Sequence, residues 1–128
     1  MRTAALLLSI AALSAGCASK PAGSAGYDAF LAESVPLVWT GPRPSVEAAQ
    51  CFEERAKFLP LSEFSRDGQA GTFTYRLRVS GLWFEQVRIS PDGSGSRAEA
   101  RLAFNLDARW RADFERDRTS MLRQCLGA

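Results

Sequence analysis

From Thr72 to Ser90 the chain reads TFTYRLRVSGLWFEQVRIS. The first nine of these residues alternate, with Phe73, Tyr75, Leu77 and Val79 on one side and Thr74, Arg76 and Arg78 on the other. That is the period-two pattern of a half-buried β-strand. Ser80-Gly81 supplies a two-residue turn whose glycine accepts positive φ, so Leu82–Ser90 is expected to return antiparallel. In that register Val79 faces Leu82, Arg78 faces Trp83, Leu77 faces Phe84 and Arg76 faces Glu85. Apolar partners then share one face, while a cation over an indole and an opposite-charge pair share the other.

Working outward, Pro91–Ser96 (PDGSGS) has the composition of a loop. Arg97–Leu106 is expected as a third strand, with Ala98, Ala100, Leu102, Phe104 and Leu106 turned inward and Arg97, Glu99, Arg101 and Asn105 turned out. Asp107 then caps a helix over Ala108–Leu126 with Gly127 as its C′ residue and an apolar stripe of Trp110, Phe114, Met121 and Cys125. On the other side of the hairpin, Ser45 precedes Val46–Leu59 (VEAAQCFEERAKFL), a second helix that Pro60 ends, carrying Ala49, Phe52, Ala56 and Leu59 on one stripe. Val35–Trp39 is short and β-prone, and Pro36 restricts it to an edge strand or an extended segment. The expected fold class is α+β: a two-layer domain with a three- to four-stranded antiparallel sheet and two helices packed on one face.

The chain has 128 residues, 46% hydrophobic and 23% charged, the composition of one ordinary folded domain rather than a multidomain enzyme or a disordered chain. It contains no histidine, which removes imidazole triads, proton shuttles and histidine metal cages. Gly93-Ser94-Gly95-Ser96 matches neither a nucleophile elbow nor a phosphate loop and reads as turn chemistry. Glu53 and Glu54 are neighbours on a helix and point apart, so they make a poor acid/base pair. The sequence offers no metal-ligand cluster and no cofactor motif, and an enzyme is not expected, a hydrolase being the weakest of three functional readings.

At the amino terminus Arg2 precedes an uncharged apolar run, Ala4–Ala15, about a dozen residues long, the length of a secretory h-region and well short of the about 20 needed to span a bilayer. The run closes on Leu13-Ser14-Ala15-Gly16-Cys17, and here the sequence resembles the lipobox of bacterial lipoproteins. The resemblance implies a signal peptide over residues 1–16, cleavage before Cys17, and acylation of Cys17, whose chains would hold the protein to membrane lipid. Ala18, where inner-membrane retention goes with Asp, implies the periplasmic side of the outer membrane. Residues 17–26 then form the lipidated cysteine and a flexible tether a few nanometres long, and residues 27–128 form the periplasmic domain.

With Cys17 committed to lipid, Cys51 and Cys125 remain as an even pair in an oxidising compartment. A structural disulfide is one reading; two free buried thiols, or a redox or metal role without a Cys-x-x-Cys spacing, are the others.

Arginine outnumbers lysine 14 to 2, with seven arginines between Arg97 and Arg123, but five acids in that stretch leave it at only +2. Both a mixed-charge solvated surface and an anion-binding surface fit that balance. Nucleic acid is not an expected partner in this compartment. The outer sheet face gathers Trp83, Val87 and Ile89 among Arg76, Arg78 and Glu85, a mixture typical of protein interfaces. It is either a partner-binding surface or a second minor core covered by Val35–Trp39 or a loop. The sequence thus points to a non-catalytic lipoprotein that binds an envelope protein or assists envelope assembly. An antagonist of a lytic enzyme or toxin is the alternative.

Overall fold

The alternating stretch forms the central hairpin of the domain. In the computed structural model, which describes residues 23–56, 62–103, 105 and 107–128, β3 (Thr72–Val79) and β4 (Leu82–Asp92) are joined by Ser80 and Gly81 at φ 51° and 77°. Both central residues of this turn need positive φ, which its right-handed twist demands and which glycine alone adopts at no steric cost. Ser80 is therefore the strained partner. Ser80→Asn is expected to raise stability by about 0.5 kcal/mol in urea unfolding, because asparagine tolerates the left-handed region better.

Beyond the hairpin the sheet is larger than its sequence suggested. Among the described residues five antiparallel strands run in the order β1-β5-β4-β3-β2, with β1 at Leu37–Gly41, β2 at Ser62–Gln69 and β5 at Gly95–Leu102. The expected three to four strands become five because SEFSRDGQ, a polar run with no apolar alternation, pairs along the whole of β3. The expected loop Pro91–Ser96 shrinks to a turn at Gly93-Ser94, since Asp92 already pairs with Gly95 and Pro91 with Ser96. β5 ends at Leu102, earlier than expected, and Phe104 and Leu106 lie outside the described residues. β1 is the expected edge strand, shifted by two residues.

Among the described residues three helices accompany the sheet instead of two: α1 (Tyr27–Glu33), α2 (Ser45–Arg55) and α3 (Ala108–Leu126). In α2 the expected N-cap, Ser45, is already helical and donates its hydroxyl to the Gly71 carbonyl at 2.7 Å. The helix gives way to extended backbone at Ala56, and the expected end at Leu59 and Pro60 falls outside the described residues. In α3 the expected caps hold: Asp107 accepts from the Arg109 N–H, and Gly127 closes the helix at φ 75°.

α2 and α3 pack on one face. Their buried side chains, Ala48, Ala49, Phe52, Leu122, Cys125 and Leu126, meet Tyr75, Val87, Ile89, Ala98 and Ala100 of the sheet. The Phe52 and Tyr75 rings lie 4.9 Å apart, and the Tyr75 hydroxyl donates to Glu53 Oε1 at 2.8 Å. Burying aromatic bodies while their polar tips find partners is what stabilises such a core. The stripe expected on α3 is corrected at its start: Trp110 is 57% exposed, and the buried line is Arg118, Leu122, Cys125 and Leu126. Cys51 and Cys125 form a disulfide, which joins α2 to α3.

Candidate functional site

The outer face was expected to carry Trp83, Val87 and Ile89 with Arg76, Arg78 and Glu85, and a bulge in β4 divides that set. Val79 pairs with Leu82 and Arg78 with Trp83, as expected, but Leu77 then pairs with Glu85 and Arg76 with Gln86. Phe84 is the extra residue. An inserted residue reverses the facing of everything beyond it, because side chains alternate with period two. Val87 and Ile89 consequently enter the core, 1% and 0% exposed. Glu85 goes with them, and the expected Arg76–Glu85 pair is replaced by one between Arg76 Nε and Gln86 Oε1 at 3.2 Å.

On the helix side Glu85 meets Arg118 of α3. Arg118 is 4% and Glu85 3% exposed, and the two join by Nε to Oε1 and by Nη2 to Oε2 at 3.0 Å, a bidentate fork. Burial works against the guanidinium charge, yet the hydrogen bond and attraction of Glu85, with Asp117 adding to them, hold the Arg118 pKa above its ordinary value. A raised pKa in the folded state means the stabilisation is complete at lower pH and is lost only in strongly alkaline solution. Arg118 therefore keeps its charge and is not a proton donor at neutral pH. Arg118 also lies over the Phe52 ring, and Phe84 meets Phe114 edge-on at 5.5 Å, so the pair sits inside packed aromatic surface.

On the outer side Trp83, Arg76 and Arg78 do share a face. Arg78 lies 4.9 Å over the Trp83 ring and donates to the Gly81 carbonyl. α1 roofs a portion of this face, where Val35–Trp39 or a loop had been the expected covers. Tyr27 packs on Trp83 at 5.0 Å between ring centres, and its hydroxyl donates to Gln86 Oε1 at 2.6 Å. Phe30 is 1% exposed. Arg101 of β5 donates to the Leu31 and Ser34 carbonyls at 3.1 and 2.8 Å, satisfying acceptors left at the end of α1. Sequence reasoning missed this roof because seven residues are too few for a readable helical period.

The chain entering α1 is pinned to the same end of the sheet. Ser24 and Trp83 exchange backbone hydrogen bonds at 2.9 and 2.8 Å, and the Asn105 side chain bonds both the N–H and the carbonyl of Gly23. The tether expected to run to Gly26 thus yields its last residues to the domain. Farther along the outer face, past α1, an open groove is lined by Asp67, Gln69, Thr72, Thr74, Arg76 and Arg88. Among the arginines between Arg97 and Arg123, Arg97 and Arg101 both pair with Glu99 and Arg116 pairs with Asp113 and Asp117, so carboxylates of the stretch are engaged locally.

Among the described residues no three acidic or cysteine side chains converge as metal ligands, and no helix is long and apolar enough to cross a membrane. Compared with family models, with characterised proteins and with solved structures, the chain matches none.

Proposed function

We propose that this chain is a lipoprotein of the periplasmic side of the outer membrane, anchored through acylated Cys17, whose domain binds another envelope protein without catalysing a reaction. The observation that carries the reading is the Cys51–Cys125 disulfide. Disulfides persist in oxidising compartments such as the periplasm. Their pairing also leaves Cys17 as the remaining cysteine of the three, at the close of an apolar run and in front of small polar residues. Binding rather than catalysis is supported by the Arg118 guanidinium, which stays charged where it lies buried against Glu85, and by the absence of histidine. The partner surface is the outer face beside α1, where Arg76 and Arg88 line the open groove.

Mass spectrometry of the protein recovered from membranes tests the anchor. The expected amino terminus is Cys17 bearing acyl chains, and Cys17→Ser is expected to move the protein out of the membrane fraction. An unmodified terminus overturns the reading. For the partner, cross-linking in intact cells should capture an envelope protein with the wild type and lose it with Arg76→Ala/Arg88→Ala. If the captured protein is a lytic enzyme, the role is that of an antagonist; unchanged capture removes the groove as the surface.

A further inference from the structure

One end of the domain brings Val35 and Trp110, two of the four large exposed apolar side chains among the described residues, together with its point of attachment, whereas Val46 lies toward the other end beside Ser45, which bonds Gly71. The β3–β4 turn and Trp83 lie at this end, and β4 carries the sheet about 36 Å to the opposite turn at Gly93-Ser94. α3 starts here as well, because β5 runs back toward Trp83 before the chain enters the helix. Trp110, in its first turn, is 57% exposed although its ring stacks on Phe114. Val35, 81% exposed, precedes β1, which enters the sheet from the same side.

The attachment point is fixed by Gly23 and Ser24, held to Asn105 and Trp83. Gly23 follows Cys17 by only six residues. Fully extended, that length of chain reaches about 20 Å. The expected tether of a few nanometres is therefore too generous, and the end bearing Trp83 cannot leave the neighbourhood of the lipid to which Cys17 is joined. Trp side chains are at home at headgroup depth, where an apolar ring and a polar N–H are both satisfied.

We infer that this end, formed by Trp83, the Ser80-Gly81 turn, Val35 and Trp110, faces the membrane and rests on its phospholipid headgroups. The inference relies on the acylation of Cys17 proposed above. At this end Arg109 lies beside Asp107 and Asp113 on α3, and Arg78 is engaged by the Trp83 ring and the Gly81 carbonyl, so the contact is that of an amphipathic rim and not of a basic patch seeking anionic lipid. The groove beyond α1 is left facing away from the bilayer, open to a protein in the periplasm.

The test uses the acylated protein in vesicles of phosphatidylethanolamine and phosphatidylglycerol containing a lipid spin-labelled at its headgroup. Trp39, mid-strand in β1 and paired with Ala98, lies about 20 Å farther along the sheet and serves as the control. Trp39→Phe, which keeps Trp83 and Trp110, is expected to lose emission about twofold, as for indoles at headgroup depth. Trp83→Phe/Trp110→Phe, which keeps Trp39, is expected to stay bright. The wild type provides a reading that needs no substitution in the domain: hydrogen exchange should slow at Ser80–Trp83 relative to the Cys17→Ser chain and stay unchanged at Asp92–Gly95. Equal quenching of Trp39, or no quenching and no protection when mass spectrometry shows Cys17 acylated, overturns the orientation alone. An unacylated Cys17 overturns it together with the reading beneath it.

Discussion

Glu85→Ala is expected to destabilise the domain by about 3–5 kcal/mol, because it removes the carboxylate that forks onto the buried Arg118 guanidinium. A small domain has only about 5–15 kcal/mol of stability in all, so this one truncation should shift a urea midpoint visibly or abolish folding at moderate temperature. The cost comes from desolvation and not from the strength of the pair itself. Replacing both partners by apolar groups, Glu85→Leu with Arg118→Met, is accordingly expected to recover most of the loss. A double variant as unstable as Glu85→Ala would show that the fork's hydrogen-bond geometry, and not the desolvation of the charge, holds α3 on the sheet. Unfolding measured between neutral and mildly alkaline pH should give the same Arg118 contribution throughout, since its pKa is raised rather than lowered.

Reduction of the disulfide, or Cys51→Ala with Cys125→Ala, is expected to cost about 4 kcal/mol if chain entropy dominates. The two cysteines are separated by 74 positions, and β2 to β5 all lie inside the loop they close. An open chain regains the freedom of that whole span when it unfolds. Equilibrium unfolding with and without reductant gives the difference directly, and a loss below about 1 kcal/mol would mean that the unfolded chain stays compact without the link. Cys125 is 0% exposed and sits in the core cluster, so the alanine pair also removes packing and should lose somewhat more than reduction does.

The hairpin, the edge strand and the caps of α3 were legible because each follows a local rule: alternation at Thr72–Val79, a positive-φ glycine at Gly81, a carboxylate at Asp107 and a glycine at Gly127. The bulge at Phe84 was written there too, as a change of phase. Leu82 and Phe84 are apolar at even positions, Val87 and Ile89 at odd ones, and only an inserted residue turns all four toward the helices. A strict two-residue period carried past that point turned Glu85, Val87 and Ile89 outward. Arg118 hid in a similar way, since Phe114, Leu122 and Leu126 step by four through its position, and a charge there is easily assigned to solvent. β2 carried no such signal. Its polar residues are held by pairing with β3, a contact set by tertiary context and not by propensity. Of the candidate site, Trp83, Arg76 and Arg78 were placed together correctly and Glu85 was not, while Tyr27 and Gln86, which complete the group, belong to a short helix and to the far side of the bulge.

The pinning of Gly23 and Ser24 has a mechanical side. Any pull between an anchored amino terminus and the body of the domain arrives first at two backbone bonds to Trp83 and two side-chain bonds to Asn105. These would break in succession, like a zip, and α1 would follow before load reached the long ladder between β3 and β4. If the amino terminus is anchored as proposed, the domain carries a yielding element in series with that anchor, and a shear force that strips the first helix would bare the side of Trp83 that Tyr27 covers, and Gln86, while the sulfur-bridged core stayed folded.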